Sequence, residues 1–123
     1  MMPGLIRVRR HRAGFLEGRA RPGSGRHGEI LAGFLQSDVQ GDLETAQSLL
    51  AETLAAECGE TPQPGGAGNA FAITISPEGA VIRNAVVEGA VAEHYSLAEL
   101  RAALETWIAA IERAHRSTAP PVP

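Results

Sequence analysis

Residues 69 to 89, "NAFAITISPEGAVIRNAVVEG", constrain the fold of this chain more than any other stretch. Phe71, Ile73 and Ile75 alternate with Ala72, Thr74 and Ser76, the period of two that gives a strand one apolar face to bury. "SPEG" then supplies turn chemistry. Pro77 presets a turn dihedral, and Gly79 accepts the left-handed conformation that follows a type I turn. The return strand is expected over Ala80 to Val87, rich in Val and Ile.

Just downstream the period switches. In "YSLAEL", Ser96 and Glu99 form a Ser-x-x-Glu capping box, and Tyr95 and Leu100 stand where a hydrophobic staple closes around a helix start. Leu97, Leu100, Leu104, Trp107, Ile108 and Ile111 then follow one helical stripe, with Arg101 and Glu105 one turn apart outside it.

The same two periods occur upstream. "LIRVRRHRAGFLEGRA" alternates Ile6 and Val8 with Arg7 and Arg9, breaks at His11 to Gly14 and resumes at Phe15, which predicts a hairpin of two short strands. Residues 21 to 28, "RPGSGRHG", are predicted to be a loop. From Glu29 to Cys58, Leu31, Phe34, Leu35, Val39, Leu43, Ala46, Leu50 and Leu54 recur at helical steps. Gly41 followed by Asp42 predicts a break and a fresh N-cap, so this stretch is one helix or two joined ones. "GETPQPGGAGN" at 59 to 69 must end the helix. Its glycines precede a strand rather than a helix N-terminus, so they lack the dipole of a phosphate-binding loop.

The predicted order is therefore ββαββα, an α+β fold with a four-stranded antiparallel sheet and two helices on one face. A length of 123 residues fits one domain, expected over 1–116, with "STAPPVP" at 117–123 a disordered tail.

Composition excludes several chemistries. All eleven basic residues are Arg, so no phosphate-loop lysine, Schiff-base lysine or Ser-x-x-Lys pair exists. No serine sits in Gly-x-Ser-x-Gly. His11, His27, His94 and His115 lack metal-ligand spacing, and Cys58 has no Cys partner nearby. His27 near Glu29, and Glu93 beside His94, read as solvated loop residues. Cys58, at a predicted helix end, faces a dipole that disfavours its thiolate. The sequence thus predicts no enzyme, no cofactor and no metal. It has no run of about 18 apolar residues and no secretory signal, which leads us to expect a cytoplasmic protein without a membrane partner.

Charge is divided unevenly. Residues 1 to 28 hold seven arginines against Glu17 alone, +6, while residues 29 to 123 hold four against thirteen acids, −9. Arg7, Arg9, Arg10 and Arg12 are the candidate contacts for nucleic acid or an acidic partner, although aromatic residues do not interleave with them as single-strand binding requires. Asp42, Glu44 and Glu52, on the outward face of the second helical stretch, are the candidates for a basic protein partner. Arg101, Glu57 and Glu60 complete the charged outer faces. An exposed strand edge is also expected to allow a homodimer.

Three stretches, "HGEILAGFLQSDVQGDLETAQSLL" at 27 to 50, "GNAFAITISPEGAVIRN" at 68 to 84 and "YSLAELRAALETWIAAI" at 95 to 111, resemble the YacL-like family of small bacterial proteins of uncharacterised function. The resemblance implies an α+β fold and no activity. That family in turn resembles, in size and in ending with a Ser-Leu-x-Glu helix containing Trp, small immunity proteins of bacterial toxin systems. Protein binding is the function expected first, and nucleic-acid binding through the N-terminal strands is the alternative.

Overall fold

A computed structural model describes residues 4–60 and 70–118. In chain order these form β1 (Ile6–Arg10), β2 (Leu16–Ala20), α1 (Gly25–Phe34), a π-helical turn (Leu35–Val39), α2 (Leu43–Glu57), β3 (Phe71–Ser76), β4 (Gly79–Asn84), β5 (Glu93–Tyr95) and α3 (Leu97–Thr118). The expected 117–123 tail lies beyond the described residues except for 117 and 118, which continue the α3 backbone.

The fold class is α+β, but the expected four-stranded sheet with two helices on one face does not form. Three α-helices pack with two separate sheets, β1-β2 and β3-β4-β5. The second hairpin takes its third strand from its own side of the chain: Ala80, Val81 and Ile82 of β4 pair with Tyr95, His94 and Glu93 of β5. At its other edge, the backbone N–H groups of Ala70 and Phe71 both donate to the Asp38 carboxylate, each at 3.0 Å. With its partners supplied in these ways, the second hairpin leaves the first to fold as its own ribbon.

The reading of the 69–89 hairpin holds in register and fails in length. Ile73 faces Ile82 and Ile75 faces Ala80 across a tight turn that closes between Ser76 and Gly79. Phe71, Ile73, Ile75, Ala80, Ile82 and Tyr95 are all buried, giving the sheet one apolar face. Gly79 is required there, since its φ is +138° and a Cβ would lie 2.7 Å from the Tyr95 carbonyl oxygen. The return strand stops at Asn84 rather than Val87. The Asn84 side chain accepts from the N–H groups of Val86 and Val87 at 2.9 and 3.1 Å, turning the chain out of the ladder.

Upstream, the loop expected over 21 to 28 ends early, because α1 already begins at Gly25. The predicted break at Gly41 and Asp42 is present. Asp42 caps α2, accepting from the Thr45 N–H at 3.3 Å and from its hydroxyl at 2.8 Å. Leu54, expected on the buried face, is exposed, whereas Thr53 and Ala56 are buried. Steps of four residues through 46, 50 and 54 drift around a helix of 3.6 residues per turn, so the last leucine rotates out of the contact.

Helix α1 serves both sheets. Its Phe34 meets Phe71 of β3 edge to face at 6.2 Å between ring centres. On another side, Ala32 lies against Gly18 of β2, where a Cβ would stand 3.0 Å from the Ala32 carbonyl oxygen and 3.1 Å from the Trp107 ring. The π-helical turn continues this bridging. Gln36 accepts from the Gly18 N–H at 3.0 Å while Asp38, two residues on, holds the start of β3. Leu31, Leu35, Val39, Leu100, Leu104, Trp107 and Ile111 fill the centre.

The capping box of α3 forms as expected. Ser96 N–H donates to Glu99 at 2.8 Å, and Glu99 N–H donates to Ser96 Oγ at 3.0 Å. Both members of the expected staple, Tyr95 and Leu100, are buried. No helix of the described residues is long and apolar enough to cross a membrane.

Candidate functional site

The arginine candidates divide between two environments. In the β1-β2 ladder Arg7 stands opposite Arg19 and Arg9 opposite Glu17, which places these four side chains on one exposed face. Glu17 receives Arg9 at 3.1 Å and Arg19 at 2.7 Å. The hydrogen bond from Arg19, followed by that from Arg9, holds its carboxyl below the ordinary range. Arg10 has the opposite parity, that of the inward-facing Ile6 and Val8, and lines a cleft beside Leu16. Arg9, Arg10, His11 and Arg12 together line an open groove at the hairpin tip, and Arg7 does not reach it. The turn also brings Phe15 onto the His11 ring in a stack 4.3 Å apart. An aromatic pair therefore does stand beside the tip arginines, contrary to the linear reading of this segment.

The acidic candidates do not form a single surface. Asp42 is occupied as the cap of α2, and the hydrogen bonds from the Thr45 hydroxyl and then its backbone N–H hold it below the ordinary carboxylate range. Glu44 lies in the first turn of α2, where its charge suits the helix dipole, and shares an open depression with Asp42, Thr45 and Ser48. Glu52 is half-buried farther along α2 and does not line that depression. Glu57 ion-pairs with Arg101 of α3 at 3.0 Å, so this arginine braces two helices rather than pairing with Glu105.

A different charged cluster is assembled from positions far apart in sequence. His27, on the first turns of α1, places Nδ1 3.0 Å from Glu93 of β5 and Nε2 3.2 Å from Glu99 of α3. Arg26 approaches Glu93 at 3.6 Å, and the Tyr95 ring stacks on His27 at 4.2 Å. The Tyr95 hydroxyl donates to the His27 carbonyl at 2.6 Å. Burial, then the charges of Glu93 and Glu99, keep that hydroxyl protonated far above the ordinary range. Burial also raises the Glu99 carboxyl. That effect is outweighed by the Ser96 backbone N–H and by the hydrogen bond and charge of His27, so the net shift is downward.

His27 and Glu93 are therefore half-buried partners, not the solvated loop residues the sequence suggested. Only the Ser96-x-x-Glu99 box was legible in advance, and it gave no sign that the second Glu99 oxygen serves another element. Among the described residues, no group of three or more His, Cys, Asp or Glu is placed to hold a metal ion. Cys58 is exposed at the end of α2.

The connection between β4 and β5 adds a feature absent from the candidate residues. Val86, Val87 and Val91 are 72%, 56% and 66% exposed. Arg26 donates to the Val91 carbonyl at 3.3 Å, which ties this apolar segment to the N-terminal end of α1. Comparison with protein-family models, with curated proteins and with solved structures finds no match to this chain.

Proposed function

We propose that the protein is a non-enzymatic, protein-binding module of the immunity-like kind. The observation that carries this reading is the group of three valines exposed within six residues of the β4–β5 connection. Scattered apolar residues are ordinary on a surface, but a cluster rimmed by charge has the make-up of an interface centre. Arg26 supplies that charged rim. Cross-linking in extract of the native host, followed by mass spectrometry, tests the reading. The parent chain should retain one specific protein, and the variant with Val86, Val87 and Val91 all changed to Ser should lose it. Equal recovery by both chains, or no specific protein with the parent, refutes the proposal.

A second reading, nucleic-acid binding, is favoured by the His11–Phe15 stack beside Arg10 and Arg12 and by the exposed row of Arg7, Arg9 and Arg19. Filter binding to a mixed-sequence single strand should then weaken steeply as salt rises. Changing Arg7, Arg9 and Arg10 together to Ser should remove most of the affinity. Undiminished affinity in that variant, or no retention at low salt, refutes this second reading.

A further inference from the structure

The strongest unassigned feature is the outer edge of β3. The Ala85 N–H donates to the Ala70 carbonyl at 2.7 Å, one step beyond the Phe71–Asn84 pair, and this sets the hydrogen-bonding parity of the whole hairpin. Ala72, Thr74 and Ser76 therefore direct their backbone groups to β4, and Phe71, Ile73 and Ile75 direct theirs away from it. Among the described residues, nothing bonds to the Ile73 or Ile75 N–H or carbonyl on that side. The side chains agree. Phe71, Ile73 and Ile75 keep 8%, 7% and 5% exposure where Ala80 and Ile82 of the central strand keep 1% and 0%, as expected of a strand with an uncovered flank.

Two devices bound this open stretch. The Phe71 N–H is already held by the Asp38 carboxylate at 3.0 Å, and Pro77, the next residue of the same parity past Ile75, has no N–H to offer. What lies between is symmetrical about Thr74, with one isoleucine on each side, each presenting one donor and one acceptor. Exposed edges are commonly guarded by a charge or a bulge. Phe71–Ser76 carries no charged residue, and its register with β4 runs unbroken from Phe71 to Ser76. The other edges offer less. By the same parity β5 turns only His94 outward, and on the β1-β2 ribbon the Gly18 N–H is taken by Gln36 and the Ile6 carbonyl by Arg21 at 3.1 Å.

We infer that this edge pairs with the same edge of a second copy, antiparallel about a two-fold axis at Thr74, joining two three-stranded sheets into one. In that register Ile73 exchanges both backbone bonds with Ile75 of the second copy, and Ile75 with its Ile73, so every open group is answered. The ladder ends on each side at a Phe71–Pro77 pair, where neither residue has an N–H left to give. Centring the axis on Ile73 instead would call on the Phe71 N–H that Asp38 already holds. At the axis the exposed Thr74 faces its own copy, a cross-strand pair that sheets favour, and the uncharged strand brings no like charges together. The inference is independent of the protein-binding reading, because it uses none of the β4–β5 valines.

Analytical ultracentrifugation and amide hydrogen exchange of the full chain test it. With a dissociation constant of about 100 μM, that of a weak, short interface, the chain should be mostly dimer at about 1 mM and mostly monomer at about 10 μM. Exchange at the Ile73 and Ile75 amides should slow about fourfold between those concentrations, while the Thr74 amide, bonded to β4 in both states, should change little. Thr74→Lys places like charges opposite each other at the axis and should weaken the dimer at least about fivefold. Thr74 is exposed, so the monomer keeps its core, and the exchange measurement on the parent needs no variant. In a Cys58→Ser background, Thr74→Cys should cross-link to its copy under oxidised glutathione, since facing Cα atoms of a non-hydrogen-bonded pair lie about 4.5 Å apart, within disulfide reach. The mass of a single chain at about 1 mM, unchanged exchange at Ile73 and Ile75, or a dimer that Thr74→Lys leaves at parental affinity overturns the inference.

Discussion

Replacing Trp107 by Phe separates the two roles of the most buried large side chain in the protein. Trp107 is fully buried, contacts the Gly18 region of β2 and donates from its indole N–H to the Gln40 carbonyl at 2.7 Å. Phe keeps an aromatic ring in the core but buries about three fewer heavy atoms, a loss of about 2 kcal/mol at about 0.8 kcal/mol each. It also leaves the Gln40 carbonyl without its donor. Gln40 is exposed, so water can replace part of that bond, which puts this loss at the lower end of the usual penalty, about 1 kcal/mol. The sum is about 3 kcal/mol, a large share of the roughly 5–15 kcal/mol that holds a domain of this size. Trp107→Ala should cost about 3–5 kcal/mol from the cavity alone. The assay is guanidinium unfolding followed by far-ultraviolet circular dichroism, since the substitution removes the one tryptophan. The slope with denaturant should stay unchanged while the midpoint falls. A Trp107→Phe protein within about 0.5 kcal/mol of the parent, the scatter of ordinary surface substitutions, would show that neither the packing nor the Gln40 bond matters as argued.

Ser96→Ala should cost only about 1 kcal/mol by the same unfolding measurement, because it removes one cap bond from a helix that packing holds in place. Asp38→Ala should cost about 2 kcal/mol and speed hydrogen exchange at the Phe71 amide, since it strips the acceptor from the start of β3. Alkaline unfolding should be steep. The folded state raises the Tyr95 pKa above the unfolded value of about 10, so stability is intact below that pH and declines above it by up to about 1.4 kcal/mol per unit. Tyr95→Phe should flatten that limb of a thermal melting profile against pH. On the acid side, the lowered Glu99 pKa contributes stability that is present above the unfolded value of about 4.3 and is lost as pH falls through the folded one. Glu99→Gln should accordingly make the melting temperature less sensitive to acid.

What the sequence determined by itself is local. The Ile73–Ile75 alternation, the turn at Pro77 and Gly79, the Asp42 cap and the Ser96–Glu99 box each depend on residues a few positions apart, and each is present where the pattern placed it. The Leu100, Leu104, Trp107 and Ile111 stripe was legible for the same reason, since helical periodicity marks a buried face without naming what covers it. Partners were not legible. A backbone N–H bonds equally well to a neighbouring strand or to a carboxylate, so nothing in β3 announced that Asp38 would hold its first residues or that the short β5 would occupy the far side of β4. That choice divided the expected sheet in two. The same holds for the site residues. His27, Glu93 and Glu99 become neighbours only when α1, β5 and α3 converge. Tertiary packing decided these features because it joins groups separated by long stretches of chain, and neither hydrophobic period nor capping chemistry carries information across such distances.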